Sequence, residues 1–445
     1  MGKKSSTLIG KGCRLGLMNK AKEIWLPDSD RKGHVFCFGS TRIGKTKLIE
    51  LMVEQDIRKG YSVALFDPKG DISLFSKIVQ VAFEENRQDD LYLVTPIFPE
   101  YSATIDPLAY YFMPEELVSH VVSGIKAKEE FFVNIAYETT LIIVLALQLF
   151  AKARNQTPII NLSDIKDRAS YTCLEDLKAE LESLPESFEK TDILASLTQI
   201  LDSPKDYFSK ISSSLRTTLT SLSTGNVGKI IGRAQSNEFI KRLEQDKKVI
   251  LVVQTGSLLT RKTAHIVARV LISMIQSFIG RRYASGRQVS PPLAIYLDEA
   301  SNLMYLGIED LFNKAGGAGA WVHAFTQSIA DLEAELGRPF GRKILDNTNT
   351  KIFMRVNDPT TAEYVSDYSG EIKRFSPLLS LGGAITIREV KENSILPEHV
   401  LNLQERELFL FSYRGQYRGK TSYIHKPYFR IEYPHLNVLS TEDSS

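Results

Sequence analysis

The chain has 445 residues, enough for two or three domains at roughly 150 residues each. Its 55 basic and 53 acidic residues leave a net charge of +2, so a contact with nucleic acid requires a local basic patch. The three cysteines, Cys13, Cys37 and Cys173, lie far apart without metal-ligand spacing, which argues against a disulfide scaffold and a zinc site and favours a reducing compartment.

The N-terminal and apolar segments give no sign of export. Residues 1–6 are polar and lack the apolar stretch of a signal peptide. The most apolar window, 141–150, is shorter than the roughly 20 residues of a membrane span, and Asn134 and Glu138 interrupt its extension. We therefore expect this window to form a buried helix.

An apolar run at 35–38 leads into a glycine-rich octapeptide, which a helical pattern follows. The octapeptide fits G-x-x-x-x-G-K-[ST], in which glycines permit tight turns and close backbone approach to phosphate. Lys45 is predicted to bind the β and γ phosphates of ATP, and the Thr46 hydroxyl to bind Mg²⁺. The predicted nucleotide-binding residues are Gly39, Ser40, Thr41, Arg42, Ile43, Gly44, Lys45 and Thr46.

Two further apolar runs, 62–66 and 91–94, follow with helical segments between them. Continuous rather than alternating apolar runs are typical of parallel strands that are covered on both faces. The segment 67–71 has turn composition and ends the first of these runs. Because ligands bind beyond the carboxyl ends of such strands, we expect 67–71 to lie near the octapeptide.

Between residues 113 and 244 the strand-like runs give way to helical periodicity, which predicts an inserted all-α domain. A serine-rich stretch from 212 to 225 is polar enough to form a mobile loop. The predicted division is an N-terminal segment (1–32), a nucleotide-binding domain (33–112 and 245–432), the insertion (113–244) and a flexible tail (433–445). The predicted helices of the insertion are 115–125, 131–153, 173–184, 191–201 and 209–222.

The strand pattern resumes at 249–253 and again at 293–297, where the apolar run ends in Asp298 and Glu299. A Mg²⁺-dependent NTPase needs acidic groups beside its phosphate loop. We predict that Asp298 holds Mg²⁺ through water and that Glu299 polarises the attacking water. The two motifs are far apart in sequence, and the helical insertion accounts for that distance.

The next predicted strand, 321–326, ends at Gln327, whose amide is placed to contact the γ-phosphate or the attacking water. A strand at 351–356 carries Arg355, our first choice for an arginine that a ring ATPase inserts into the site of a neighbouring subunit. Lys351 and Arg342 are the reserve candidates, Arg342 from a predicted loop that also holds Arg338 and Lys343. A surface ion pair is the alternative role for each.

The C-terminal part carries less information. Runs at 384–388 and 408–411 predict closing strands, with glycines at 382 and 383 before the first. The segment 415–420 is predicted to be a basic, glycine-bounded turn. It is a weak candidate for phosphate contact, since a solvated hairpin has the same composition.

Eight short segments carry a further signal: residues 33–34, 39–46, 66–71, 105–108, 297–299, 326–328, 357–364 and 396–401. Together they resemble the type IV coupling proteins, the conjugation ATPases of the TraD and TraG type in the FtsK–HerA superfamily. The resemblance spans roughly residues 33 to 404, and the Asp-Pro-Lys-Gly element at 67–70 is more specific than the phosphate loop.

The resemblance implies an α/β fold, a RecA-like P-loop motor with a mainly parallel sheet and an inserted all-α domain. It implies a homo-hexameric ring that hydrolyses ATP with Mg²⁺ and pumps DNA, single- or double-stranded being left open, and that links a relaxase–DNA complex to a type IV secretion channel. It also implies a place at the cytoplasmic face of the bacterial inner membrane. Many members begin with transmembrane helices, and none is predicted here, so we expect a shortened form, a soluble member or one that a membrane partner recruits.

Two alternatives stay open. One is a related FtsK–HerA motor that acts as a secretion-channel ATPase or in DNA-end repair. The other is a nucleotide-gated docking or assembly protein with little turnover. Glu299 argues against the second alternative, because a protein that only binds nucleotide does not need a second carboxylate.

Overall fold

The computed structural model describes residues 5–16, 20–126, 130–379 and 385–434. Within these ranges the strands are β1 (Ser6–Arg14), β2 (Lys22–Pro27), β3 (Val35–Phe38), β4 (Ser62–Phe66), β5 (Leu91–Val94), β6 (Ile250–Val253), β7 (Leu293–Leu297), β8 (Ala320–Thr326), β9 (Thr350–Phe353), β10 (Glu371–Leu379), β11 (Ile385–Asn393), β12 (Glu407–Ser412) and β13 (Gly415–Thr421).

Helices alternate with strands in the two outer parts of the chain and follow one another without strands in the middle. They are α1 (Asp28–Arg31), α2 (Lys45–Arg58), α3 (Ile72–Glu84), α4 (Pro114–Ser123), α5 (Glu130–Ala153), α6 (Leu162–Lys166), α7 (Tyr171–Glu182), α8 (Phe188–Leu201), α9 (Lys205–Ile211), α10 (Ser213–Ser223), α11 (Gly225–Val227), α12 (Glu238–Glu244), α13 (Arg261–Ala284), α14 (Ala300–Leu303), α15 (Glu309–Lys314), α16 (Ile329–Leu336), α17 (Arg338–Asp346), α18 (Pro359–Ser369) and α19 (Pro397–Leu401).

One eleven-stranded sheet organises the described chain, in the order β2-β1-β13-β12-β9-β3-β8-β7-β4-β6-β5. From β9 to β5 every neighbouring pair is parallel, and from β2 to β9 every pair is antiparallel. Strands β3, β4, β6, β7, β8 and β9 are buried at every residue, as expected of parallel strands with both faces covered. The predicted mainly parallel α/β sheet is confirmed.

Strands β1 and β2 join this sheet, although they fall within the N-terminal segment predicted at 1–32. Strand β1 pairs with β13 from Gly10 opposite Thr421 to Arg14 opposite Tyr417, and β2 pairs with β1. The predicted basic turn at 415–420 is also wrong, because these residues form strand β13. The glycines at 382 and 383, and residues 435–445 of the predicted tail, lie outside the described residues.

The helices α4 to α12 lie between β5 and β6 in sequence, in the region predicted as an all-α insertion. The predicted helix 209–222 is broken at Ser212 into α9 and α10, so most of the serine-rich stretch predicted as a loop is helical. Leu117 and Val121 of α4 belong to the same hydrophobic cluster as Phe66 of β4 and Val270 of α13. The domain limits therefore stay a prediction, since one apolar core joins the helices to the sheet.

Two helices, α5 and α13, are long and apolar enough to cross a membrane by length and composition alone. The apolar window of α13 is 72% buried inside the protein and that of α5 is 39% buried. Core helices of soluble proteins have the same length and composition, so these two helices are weak indications of a membrane span.

Candidate nucleotide-binding site

The predicted phosphate loop lies between β3 and α2. Gly44 has a φ of 107°, a left-handed conformation that favours glycine, and α2 begins at the next residue, Lys45. A Cβ on Gly39 would lie 3.0 Å from Cβ of Met354 and 3.1 Å from Cγ2 of Ile43, so this glycine permits close packing. The backbone conformation and packing of the loop thus explain both glycines of the motif.

Neighbouring segments hold the loop through backbone hydrogen bonds. The Gly39 amide donates to the Thr326 carbonyl at 3.1 Å, and the Ser40 amide donates to the Arg355 carbonyl at 2.7 Å. The Arg406 amide donates to the Ile43 carbonyl at 3.0 Å. Three segments distant in sequence therefore fix the loop.

The Lys45 side chain is buried at the first residue of α2. Its ammonium donates to the carbonyls of Gly39 at 2.5 Å and Ser40 at 2.8 Å. Burial lowers the pKa of Lys45, and the nearby carboxylate of Asp298 partly opposes that effect. Lys45 is thus held inside the loop, with the Thr46 side chain half-buried beside it.

The predicted acidic pair follows β7. Phe66 of β4 is paired with Leu297 of β7, so the residues after both strands, Asp67 and Asp298, lie at the same edge of the sheet. Asp298 is only 2% exposed, and its Oδ1 accepts a hydrogen bond from the Glu299 amide at 2.9 Å. Burial raises the pKa of Asp298, while Lys69 lowers it.

Glu299 has a left-handed backbone, with φ 49° and ψ 43°. A non-glycine residue in this region carries on the order of 1 kcal/mol of strain, and such residues cluster at functional sites. The Glu299 side chain is half-buried, whereas that of Asp298 is buried. The two adjacent carboxylates can therefore serve different roles.

Lys69 links the acidic pair to the loop after β4. Its Nζ lies 3.0 Å from Oε1 of Glu299 and 3.9 Å from Oδ2 of Asp298. Burial lowers the pKa of Lys69, but the two carboxylates outweigh burial and the net pKa is raised. No role was predicted for Lys69, although it lies within the Asp-Pro-Lys-Gly motif at 67–70.

Asp67 shapes the turn that positions Lys69. Its carboxylate accepts hydrogen bonds from the amides of Lys69 and Gly70, both at 3.1 Å, and of Asp71 at 2.6 Å. Burial, together with the charge of Asp298, raises the pKa of Asp67 to about 6. A buried carboxyl thus fixes the loop after β4 at the edge where the acidic pair lies.

A cavity of about 220 Å³ brings the predicted catalytic groups together. Lys45, Glu299 and Gln327 line it, and Gln327 is exposed at the end of β8. Lys69 and Arg261, the first residue of α13, also line it, although the sequence analysis assigned a role to neither. Arg355 is not among the lining residues.

The oxygen donors of this site suit Mg²⁺. In the described part of the chain, no group of three or more His, Cys, Asp or Glu side chains could hold a metal ion by itself. Mg²⁺ usually keeps several waters and takes one or two protein oxygens together with substrate phosphates. The Thr46 hydroxyl and the Asp298 carboxylate would be such a donor set.

The candidate arginines have different surroundings. Arg355 lies two residues beyond the end of β9, with an exposed side chain, rather than within the strand as predicted. The Nζ of Lys351 is buried and donates to the Thr348 carbonyl at 2.6 Å, so it cannot reach a neighbouring subunit. Arg342 is paired with Glu333 at 2.7 Å and lies in helix α17, which corrects the predicted loop containing Arg338, Arg342 and Lys343.

Arg406 is a further residue at the loop that sequence reasoning missed. Its Cγ would lie 3.3 Å from a Cβ on Gly44, and its guanidinium donates to the Thr421 carbonyl at 2.5 Å. No local motif marks Arg406, because only the pairing of the C-terminal strands brings it to the loop.

Two comparisons concern the sequence. Residues 292–375 match a family model described as the TraM recognition site of TraD and TraG. DotL, a type 4 coupling protein of Legionella pneumophila, is 33% identical over 73 residues, which are 16% of this chain. The match spans only 9% of the length of DotL.

The fold is similar to those of the solved structures of TrwB and VirB4. The plasmid coupling protein TrwB in complex with the ATP analogue ADPNP has a TM-score of 0.67 and 17% identity, with 95% of each chain covered. TrwB in complex with ADP and Mg²⁺ has a TM-score of 0.63 and 17% identity, covering 96% of this chain and 97% of TrwB. VirB4 of Thermoanaerobacter pseudethanolicus has a TM-score of 0.56 and 10% identity, covering 95% of this chain and 98% of VirB4. The predicted fold, a RecA-like P-loop motor with an all-α part, is confirmed.

Proposed function

Because the chain resembles the type IV coupling proteins in sequence and in fold, we propose that it is an ATP-hydrolysing DNA translocase of that type. The observation that carries this proposal is the cavity in which Lys45, Glu299 and Gln327 converge beside the phosphate loop. TrwB binds ATP-analogue and ADP–Mg²⁺ ligands in structures of the same fold, which supports ATP and Mg²⁺ as the ligands here.

Each group at the cavity has a role that follows from its surroundings. Lys45, released from the carbonyls of Gly39 and Ser40, neutralises phosphate charge, and the loop amides with the N-terminus of α2 hold the anion. Thr46 and Asp298 would hold Mg²⁺, which supplies charge neutralisation on the phosphate oxygens when bound.

Glu299 orients the attacking water and accepts its proton, and Gln327 positions the same water. In this structure the Glu299 carboxylate is paired with the Lys69 ammonium. Glu299 must therefore release Lys69, or share it with phosphate, before it can act as a base. Whether the Glu299 carboxylate is free to accept a proton therefore depends on Lys69, which lies in the loop after β4.

The assembly and partners belong to the same proposal. The chain would act as a homo-hexamer, with Arg355 reaching the site of the next subunit, and would pass DNA from a relaxase complex to a type IV secretion channel. The family description names TraM recognition in TraD and TraG, which supports a protein partner that contacts residues 292–375. We place the ring at the cytoplasmic face of the inner membrane, through a partner or additional helices.

A secretion-channel ATPase is the second candidate, because the fold is also similar to that of VirB4. The TM-score is lower than that of TrwB, and the sequence matches point to coupling proteins. DNA-stimulated hydrolysis separates the two, since a motor for protein export has no need of DNA.

The test measures the ATPase rate with and without single-stranded and double-stranded DNA, alongside mass measurement at several protein concentrations. We expect DNA to stimulate hydrolysis and a hexamer to form as concentration rises. The control is Lys45→Ala, which should show no stimulation because its phosphate loop cannot bind ATP well. Hydrolysis that DNA leaves unchanged, in a protein shown to form hexamers, would reject the translocase.

A further inference from the structure

A second polar cavity, of about 290 Å³, lies between the helical insertion and α13. Lys262, His265 and Arg269 of α13 line one wall, and Lys126, just after α4, contributes a further cation. Ser213 and Ser214, in the first turn of α10, line the opposite side. We call this site, defined by these six residues, the basic cavity.

The three α13 residues are spaced three and four positions apart, which places them on one helix face. The first turn of α10 adds the positive end of an eleven-residue helix, with hydroxyl groups that can donate hydrogen bonds. No carboxylate lines the basic cavity among the described residues. Cationic side chains, hydroxyl donors and a helix N-terminus together form a site for an anion.

Arg269 shows that the basic cavity has unused donor capacity. It is 4% exposed, and its Nε has no hydrogen-bond partner in the described part of the chain. One terminal nitrogen donates to the Asn302 carbonyl at 2.8 Å and lies 3.7 Å from Oε2 of Glu335. The Nε2 of His265 is also buried without a partner in this part of the chain. Buried donors without partners are rare in proteins, so the Nε of Arg269 indicates a missing acceptor, whereas the Nε2 of His265 can donate or accept according to its tautomer.

Glu335 is an acidic residue beside two of these cations. Its carboxylate lies 2.6 Å from Nζ of Lys126, in addition to its contact with Arg269. Glu299 also acts on the charge of His265, so the carboxylates offset part of the positive charge of Lys126, Lys262 and Arg269. Burial lowers the pKa of His265, with further lowering from Arg269 and Arg261, which is consistent with a positive potential in the cavity.

We propose that the basic cavity binds a phosphate group of a nucleic-acid strand. A phosphate offers several acceptor oxygens, enough for the exposed ammonium of Lys262, the Arg269 side chain that lines the wall and the α10 hydroxyls. Lys126 and Lys262 are exposed, so a polymer can approach them without entering the protein. This inference deepens the proposed function and rests on it, because it names one contact for the translocated strand.

Helix α13 lines both the basic cavity and the nucleotide cavity. Arg261 lines the nucleotide cavity, and the next residue, Lys262, lines the basic cavity. Both lie in the first turn of α13, a single helix of 24 residues. A nucleic-acid phosphate bound to Lys262 therefore lies beside Arg261, the preceding residue, whose side chain lines the nucleotide cavity.

The test compares Lys262→Gln with Lys210→Gln, an exposed lysine of α9 that lies outside the basic cavity. Fluorescence anisotropy with a labelled single-stranded oligonucleotide is recorded for the full chain at several salt concentrations. Lys262→Gln should weaken binding by roughly three- to tenfold, irrespective of oligonucleotide sequence, and should lower the salt slope by about 1. Lys210→Gln should match the wild type, and ATP affinity is measured for each protein to confirm a folded nucleotide site.

The outcomes separate this inference from the proposed function. Wild-type binding with equal affinities for the two variants would overturn the basic cavity as a strand contact and leave the translocase intact. Absence of oligonucleotide binding by the wild type would overturn both. A competition experiment with inorganic phosphate, at constant ionic strength, distinguishes a nucleic-acid phosphate from a free anion. If Lys262→Gln changes the binding of inorganic phosphate and leaves the oligonucleotide affinity unchanged, the cavity is a free-anion site and the strand contact is rejected.

Discussion

Lys69 forms an ion pair with Glu299, with Nζ 3.0 Å from Oε1, at the edge of the sheet where nucleotide is proposed to bind. The same ammonium lies 3.9 Å from Oδ2 of Asp298. One lysine from the loop after β4 therefore balances both acidic residues after β7. This connects two motifs that lie more than two hundred positions apart in the sequence.

We predict that Lys69→Gln shifts the pH dependence of ATP hydrolysis. Burial raises the pKa of Asp298 and Lys69 opposes that rise, so removal of the lysine raises the pKa of Asp298 further. A protonated Asp298 cannot hold Mg²⁺, and the acidic limb of the pH–rate profile should move to higher pH, by less than about one pH unit. The control is Lys314→Gln, which removes an exposed pair with Asp310 outside the cavity. Superimposable profiles for wild type and Lys69→Gln would contradict the coupling.

Glu299→Gln should retain ATP binding and slow hydrolysis on the order of a hundredfold. The amide keeps the size of the side chain but cannot accept the proton of the attacking water. Single-turnover hydrolysis and an ATP-binding titration measure the two effects separately. Glu363→Gln, an exposed carboxylate of α18, serves as the control and should hydrolyse ATP normally. A normal rate for Glu299→Gln would remove Glu299 as the base.

Arg355 is expected to act on the neighbouring subunit. Its carbonyl accepts the Ser40 amide, a backbone contact that survives Arg355→Ala, while its exposed side chain is free to reach a partner subunit. Mixing Arg355→Ala with Glu299→Gln subunits should restore part of the ATPase activity, because some interfaces then combine an intact arginine with an intact base. The control mixture contains Arg342→Ala in place of Arg355→Ala, because the Arg342 side chain forms an ion pair with Glu333 in its own subunit. Rings that form and show no recovery at any ratio would place the function of Arg355 within its own subunit.

Asp106→Asn should stabilise the protein, and by more at pH 8 than at pH 5. Asp106 is 1% exposed, and burial raises the pKa of its carboxyl to about 7. Because the folded pKa exceeds the unfolded value, the folded state binds more protons between the two, and this carboxyl reduces stability as pH rises through that window. The asparagine stays neutral, so the gain in free energy of unfolding at pH 8 should be on the order of 1 kcal/mol.

Urea unfolding at both pH values measures this gain for Asp106→Asn. Asp89→Asn, an exposed residue, is the control and should show no pH-dependent gain. An Asp106→Asn protein that is no more stable than the wild type at pH 8 would show that the ionised carboxyl is well accommodated.

The sequence alone determined the features that depend on neighbouring residues. The phosphate loop follows from local glycine positions, and Gly44 has the left-handed backbone that its place in the motif requires. Continuous apolar runs predicted the parallel strands, because strands covered on both faces need no polar side. The Asp298–Glu299 pair was also found, since it directly follows such a run.

Only the tertiary structure decided the features that depend on pairing between distant segments. Strand β1 joins the sheet by pairing with β13 from the other end of the chain, which no local pattern specifies. Arg406 reaches the phosphate loop, Lys69 reaches Glu299, and α13 presents Arg261 and Lys262 to two different cavities. Local periodicity predicts which face of an element is buried, but the order of strands and the packing of helices determine which charged side chains meet.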